Sequence, residues 1–333
     1  MRTRRLGRNG PVVSEIGLGC MGMSGGYGPA DDAESLATIR AALDAGVTLI
    51  DTGDFYGMGH NEMLLKEALA GGRRERAFLA VKFGAMRGPD LQFLGDDVRP
   101  IAVRNFLAYS LKRLGTDYID LYQPARIVPD VPVEDTIGAL AEMVRAGYVR
   151  HIGLSETSAA AIRRAHATHP IAALQIEYSL MSRSIEQDIL PTVRELGIAL
   201  VAYGVLSRGL ISDGAQRSQG AGEIRRRMPR FVGENFARNL ALVEALGAIG
   251  RRKGVTTAQL AFAWVRARGD DIIPLVGARR RDQMNEALGA LALNLDADDM
   301  AQIEQAMPSG AVAGGRYLPA ILAHLDSEQP RPG

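Results

Sequence analysis

An acid, a phenol and an amine stand beside the ends of two apolar runs in the first third of the chain. Asp51 closes the run VTLI at 47–50, Tyr56 follows in a glycine-flanked loop, and Lys82 closes the run at 77–81. An ammonium beside a phenol favours the phenolate and lowers the tyrosine pKa from about 10, while a carboxylate beside the lysine keeps it charged and oriented. A tyrosine tuned in this way is a general acid near neutral pH, suited to protonating a carbonyl oxygen as hydride arrives at carbon. By spacing alone each residue has a plainer use, as an ion-paired strand end or a surface phenol. The trio carries chemistry only if the fold brings distant strand ends together.

The elements that would do so alternate along the chain. Asn9-Gly10 is a hairpin turn signal, so residues 3–20 read as a β-hairpin cap followed by the first strand. Asp31 and Asp32 can cap a helix that stops at Gly46. Strands followed by helices then recur, with strand starts near Ile16, Val47, Ala77, Tyr118, Val149, Ala172, Ile198 and Asp271. The helices are expected at 100–114, 133–146, 158–168, 185–196, 235–252 and 257–268, with a final one near 282–288. Eight strand–helix units fit an α/β fold of the (α/β)8 TIM-barrel type, in a single domain over 1–333. A doubly wound sheet is the alternative, but the first strand leads into LGCMGMSGG without clean G-x-G-x-x-G spacing. In a parallel barrel every strand C-terminus emerges on one face, so Asp51, Tyr56, Lys82, Ser155, Gln175 and Tyr203 would converge.

Charge and cysteine content narrow the partners. The net charge of +1 offers no general field for nucleic acid or a membrane surface, which points to a small-molecule ligand. The single cysteine, Cys20, excludes an internal disulfide framework and suits a reducing cytoplasm. The basic start MRTRRL is not followed by an apolar signal core, and no apolar run reaches the roughly 18 residues of a membrane span, so a soluble, cytoplasmic protein is expected. His60, His151, His166 and His169 show no metal-ligand spacing, and no metal is expected. The sequence does not fix the oligomeric state.

Several motifs together resemble the aldo-keto reductases, in the bacterial and plant branch that begins IGLGCMGMS. They are IDTGDFYG (50–57), VKFG (81–84), YIDLYQPAR (118–126), VRHIGLSETS (149–158), LQIEYSLMSR (174–183), VAYGVLSRG (201–209) and GARRRDQMNEALGAL (277–291). The resemblance spans nearly the whole chain. It implies a barrel that binds NADPH/NADP+ in an extended pose at the strand C-termini, with Tyr56 as the acid, Lys82 tuning it and Asp51 supporting the pair. It also implies that Tyr203 stacks on the nicotinamide, that Ser155 and Gln175 grip its carboxamide, and that the loop with Leu206, Arg208 and Gly209 approaches the pyrophosphate. Met23, Gly277, Arg279, Arg280, Gln283 and Glu286 complete the implied cofactor set. Arg279 and Arg280 could take a 2′-phosphate as a fork, which favours NADP(H) over NAD(H).

Two departures bear on function. Where relatives read DLYYQHR this chain reads DLYQPAR, so Ala125 stands in place of the histidine that normally donates to the carbonyl oxygen. Loss of one such donor costs on the order of a hundredfold in rate. Gln283 and Ala287 stand where relatives often carry Arg and Asn. The expected activity is therefore NADPH-dependent reduction of a small-molecule aldehyde or ketone. A catalytically weak NADP(H)-binding sensor or partner subunit is the alternative, and reduction of a conjugated C=C bond is a third reading that Ala125 disfavours. Phe55, Ala125 and Arg126 are candidates for the substrate pocket, and Met21, Met23, Phe55 and Met58 for an apolar entrance. The long loop 204–233, with Arg225, Arg226 and Arg227, and the tail 310–333, with Arg316 and Tyr317, could cover that pocket as lids.

Overall fold

A computed structural model describes residues 1–25, 27–212 and 224–328. Its strands in chain order are β1 (Thr3–Arg5), β2 (Val12–Ser14), β3 (Gly17–Gly19), β4 (Leu49–Gly53), β5 (Phe78–Phe83), β6 (Ala85–Arg87), β7 (Phe93–Asp96), β8 (Ile119–Pro124), β9 (Val149–Ser155), β10 (Ile171–Glu177), β11 (Ala199–Tyr203) and β12 (Ile272–Gly277). The helices are α1 (Asp32–Asp44), α2 (His60–Ala68), α3 (Pro100–Leu114), α4 (Val133–Arg145), α5 (Ala159–Thr168), α6 (Ile189–Leu196), α7 (Gly233–Lys253), α8 (Thr257–Ala267), α9 (Arg281–Gly289), α10 (Ala297–Ala306) and α11 (Pro319–Leu322).

Eight parallel strands close into one barrel in the order β3, β4, β5, β8, β9, β10, β11, β12, with β12 pairing back onto β3. This is the TIM barrel that the strand–helix alternation predicts. Alternate residues of each strand point inward, so Leu49, Ala80, Leu121, Ala173, Ala199, Val201, Ile273 and Leu275 fill the interior. The other strand face packs against the helices through residues such as Ile50, Leu79, Val81, Leu174 and Leu200. Helix starts follow local chemistry: Asp31 accepts from the Glu34 amide at 2.8 Å, and Thr256 with Gln259 forms a capping box before α8. Glycines in the left-handed conformation stop α3, α6 and α7.

The antiparallel β1–β2 hairpin lies across the N-terminal end of the barrel. Leu6 and Val13 from it are fully buried in the interior cluster, so the hairpin plugs the end away from the strand C-termini. Gly7 sits at φ 73°, and a Cβ there would come within 2.8 Å of the Gly197 carbonyl, so a side chain would lift the plug off the rim.

Three features differ from the sequence reading. The loop after β5 contains a second hairpin, β6–β7, whose turn is set by Asp90 accepting from the Gln92 amide at 3.1 Å. The helix expected at 185–196 is broken at Asp188, with a 3-10 turn (Ser184–Gln187) before α6. Helix α9 is not the last, because Asp296 and Asp299 form a capping box that starts α10. The middle of the long loop and the end of the tail, both expected as lid segments, lie outside the described residues. Among the described residues, no helix is long and apolar enough to cross a membrane.

Candidate active site

The C-terminal ends of β4 and β5 are adjacent rungs of the barrel, with Gly53 opposite Lys82. Asp51 and Lys82 both point inward near that rim, and both are almost fully buried. The Lys82 ammonium lies 2.6 Å from each Asp51 oxygen. Gln175, at the inner face of β10, completes the cluster: its carbonyl accepts from Lys82 at 3.0 Å and its amide donates to Asp51 at 2.7 Å. Three strands thus supply a closed, hydrogen-bonded charge cluster. Gln175, expected to grip a carboxamide, is engaged here by the Asp51–Lys82 pair, a role that spacing in sequence could not reveal.

Tyr56 opens a short 3-10 turn (Tyr56–Gly59) beyond β4, and the turn is strained: Gly57 and Met58 have φ of 58° and 56°. A non-glycine residue in that region costs about 1–3 kcal/mol and persists only where its surroundings hold it. Asn61 provides the hold, accepting from Thr52 at 2.6 Å while donating to the Cys20 carbonyl at 2.9 Å and to the Ser24 hydroxyl at 2.7 Å. The half-buried Tyr56 ring packs edge-on against Phe55 at 4.8 Å and lies with its centroid 5.2 Å from the Lys82 nitrogen.

Electrostatics in the site run opposite to one expectation. The sequence reading has Lys82 lowering the Tyr56 pKa, whereas burial and then the Asp51 carboxylate push it well above the ordinary tyrosine value. The leading cation acting to lower it is Arg126. The reason is geometric, since the Lys82 charge is taken up by both oxygens of Asp51. Burial in turn lowers the Lys82 pKa, with Asp51 opposing that fall. The phenol is therefore held protonated, as a proton donor must be at the start of its step.

The other expected residues lie at several points around the rim. Ser155 ends β9 at the same rim, and Tyr203 ends β11 half-buried, its hydroxyl donating to Glu156 at 2.7 Å and lying 3.1 Å from the Tyr317 hydroxyl. Leu206, Arg208 and Gly209 belong to a strained turn after β11, with Ser207 and Arg208 at φ 45° and 59°. Gly277 ends β12, exposed and with open space where a Cβ would stand. Beyond it the expected arginine fork is not free: Arg279 donates to the carbonyls of Tyr27 and Pro29 at 3.1 Å, and Arg280 pairs with Asp282 at 3.0 Å. The Gln283 side chain accepts from the Arg279 amide at 3.0 Å, while exposed Glu286 meets the Gln259 amide only through its backbone carbonyl. Met23 is buried in the 3-10 turn after β3. Ala125 is buried just past β8, tied by its amide to the Phe83 carbonyl at 2.8 Å, and Arg126 follows it at the rim.

Two buried clusters were not foreseen. Glu156, at φ 51° directly after β9, receives both Arg316 guanidinium nitrogens, the Tyr203 hydroxyl and the Ser327 hydroxyl, and Arg316 also reaches Glu328 at 2.8 Å. These contacts staple the tail over the ends of β9 and β11, and the Arg316 charge holds the Glu156 carboxyl down at about 2 despite burial. Behind Tyr56, Asp54 is buried with neither oxygen in a well-formed hydrogen bond, although the Gly84 and Phe55 amides face it. Burial, then the nearby Glu62, raise its pKa to about 8. An acidic residue two positions before the tyrosine was the one sequence signal for it.

A barrel whose rim gathers a buried Asp–Lys–Gln cluster beneath a protonated tyrosine can be compared with known proteins. The sequence profile of the Aldo/keto reductase family matches residues 15–308. The chain belongs to the aldo-keto reductase family. A curated relative, probable aldo-keto reductase 1 from Glycine max, is 42% identical over 317 residues, covering 94% of this chain and 91% of that protein. The structure of a glycerol dehydrogenase from Gluconobacter oxydans superposes with a TM-score of 0.83 at 27% identity, covering 99% of this chain and 97% of the other. The holo form of an aldo-keto reductase from Bacillus halodurans gives 0.75 at 27% identity, with 93% and 97% covered. Membership makes this aldo-keto reductase an oxidoreductase of the class that interconverts carbonyl and alcohol groups on small molecules with a nicotinamide cofactor.

Proposed function

We propose that this protein is an NADPH-dependent reductase that converts an aldehyde or ketone to an alcohol, with Tyr56 as the proton donor. The observation that carries the reading is the Lys82 ammonium, clamped by Asp51 and Gln175 under the ring of a tyrosine that burial keeps protonated.

The rim fits the cofactor. The Ser155 hydroxyl makes no hydrogen bond among the described residues, Tyr203 presents an aromatic ring at the end of β11, and Gly277 leaves open space at the end of β12. Two consecutive strained residues, Ser207 and Arg208, lie in the turn between them, which supports a ligand-binding role for it. Ser155, Tyr203, the 206–209 turn and Gly277 would hold the nicotinamide and pyrophosphate, and Arg279, Arg280 and Gln283 the 2′-phosphate end. The Arg280–Asp282 pair is exposed and worth about 0–1 kcal/mol, so it exchanges readily for a phosphate. When bound, NADPH supplies the hydride.

The protein's own part is positional and protonic. A carbonyl oxygen seated against the Tyr56 hydroxyl accepts its proton as the carbon becomes tetrahedral, with Arg126 the leading cation acting on the phenol and the Lys82 ammonium 5.2 Å from its ring centre. Asp51 and Gln175 keep that ammonium fixed, so little reorganisation accompanies charge development. Phe55 and Ala125 border the place of reaction with apolar surface.

Tyr56→Phe tests this reading by following NADPH oxidation against aldehydes, diketones and keto sugars. The expected result is a loss of at least about a hundredfold in kcat with NADPH affinity retained; unchanged turnover sinks it. A nicotinamide-binding sensor or partner subunit is the second reading, favoured only by Ala125 in place of a hydrogen-bond donor, and wild-type turnover of any carbonyl in that panel excludes it.

A further inference from the structure

Among the described residues, several cations around the barrel mouth sit in ion pairs. Arg208 meets Glu177 at 3.4 Å, Arg230 meets Glu177 at 3.7 Å, and Arg316 is shared among Glu156, Glu177 and Glu328. Among the described residues, Arg126 has no carboxylate within 4.0 Å, and its one hydrogen bond, at 2.5 Å, runs to the carbonyl of its own neighbour Ala125. A guanidinium carries five donors in a planar fork that matches an oxyanion, so most of its capacity is unused.

Its placement is fixed by the barrel. Lys82 and Phe83 pair with Gln123 and Pro124 across β5 and β8, and the Ala125 amide adds one further bond to the Phe83 carbonyl at 2.8 Å. Arg126 therefore leaves the rim immediately beside the strand that carries Lys82. The side chain is half-buried. The groups whose charge acts on it through space are the phenols of Tyr203 and Tyr317 and the carboxyls of Glu156 and Asp96, and its charge in turn reaches Tyr56. Glu156 is already saturated by Arg316, and Asp96 lies beyond ion-pair distance with one oxygen buried and unpartnered. Ala125 beside it adds only a methyl group, so the neighbouring residue brings no polar partner for the guanidinium.

We propose that Arg126 anchors an anionic group of the substrate, so that the pocket selects carbonyl compounds bearing a carboxylate over their neutral counterparts. The proposal rests on the carbonyl-reductase reading and names its substrate class. It assigns Arg126 to substrate positioning and leaves the proton transfer with Tyr56.

The test compares kcat/KM for matched pairs with NADPH: succinic semialdehyde against butanal, and 4-carboxybenzaldehyde against its methyl ester. Glyceraldehyde 3-phosphate against glyceraldehyde shows whether a phosphate serves as well. Wild type should prefer the anionic member at least tenfold, Arg126→Gln should bring the ratio to within twofold of one through a raised KM, and Arg126→Lys should restore part of it. No preference in wild type overturns the proposal. Equal losses on both members, carried by kcat, also overturn it and assign Arg126 to the carbonyl oxygen instead. If wild type reduces none of these compounds, the reductase reading fails separately. Isothermal titration of the NADP+-loaded protein then decides the anchor, with benzoate expected to bind at least tenfold tighter than benzamide in wild type and equally in Arg126→Gln. Equal binding of the two by wild type rejects the anchor.

Discussion

Replacing Asp54 by Asn removes a carboxyl that the fold keeps protonated, and the consequence is a change in how stability depends on pH. The folded pKa is about 8 against an ordinary 3.8. Between those values the folded state holds a proton that the unfolded chain has released, so stability falls as pH rises from about 4 to about 8 and levels off above. At pH 7 the gap is about 3 pH units, and at ~1.4 kcal/mol per unit the uptake costs ~4 kcal/mol. Asn carries no such proton. Urea unfolding of wild type and Asp54→Asn at half-unit steps from pH 5 to pH 8 should therefore show the variant gaining on wild type by ~1.4 kcal/mol per unit, with equal m-values. Taking the difference between the two proteins cancels the titrating groups that do not act on Asp54. Parallel stability profiles across that range would refute the reasoning and show Asp54 ionised in the folded state. The position matters to the site, because the Asp54 amide bonds the Lys82 carbonyl at 2.9 Å and the residue leads directly into the strained turn that carries Tyr56.

Glu156 has the opposite sign: its folded pKa of about 2 lies below the ordinary 4.5, so its contribution is present above about pH 4.5 and is lost as pH falls toward 2. Glu156→Gln should remove ~3 kcal/mol of acid-sensitive stability, seen as a flatter thermal-midpoint profile below pH 5, and an unchanged profile would count against the Arg316 staple. Lys82→Met leaves the Asp51 carboxylate buried and uncompensated, at a cost of about 3–5 kcal/mol, and adding Asp51→Asn should recover part of it. Strict additivity in that double-mutant cycle would contradict the coupling seen in the structure. For the cofactor, Arg279→Ala with Arg280→Ala should weaken NADPH binding at least about tenfold by fluorescence titration and leave NADH within about twofold. Equal affinity for NADPH before and after substitution would remove both arginines from the phosphate site.

The barrel and the catalytic candidates were legible in the amino-acid sequence. Eight apolar runs, each followed by a helix, point to a closed parallel sheet that buries every strand, and the observed strands begin within about two residues of the expected places. Local chemistry marked them, because caps, glycine stops and β-branched runs act over a few residues. The same locality hid α10 and the β6–β7 hairpin, whose short signals sit in stretches rich in polar and glycine residues. Partnering at the rim emerged only once the strands were brought together in space. Gln175 lies 93 residues from Lys82 and Arg316 lies 160 residues from Glu156, so no spacing rule relates them. The charge state of Tyr56 was decided there too: a nearby lysine would lower its pKa in water, but a lysine already clamped by Asp51 in a buried site does not. Sequence sets which groups can exchange a proton, and burial with pairing sets which of them holds it.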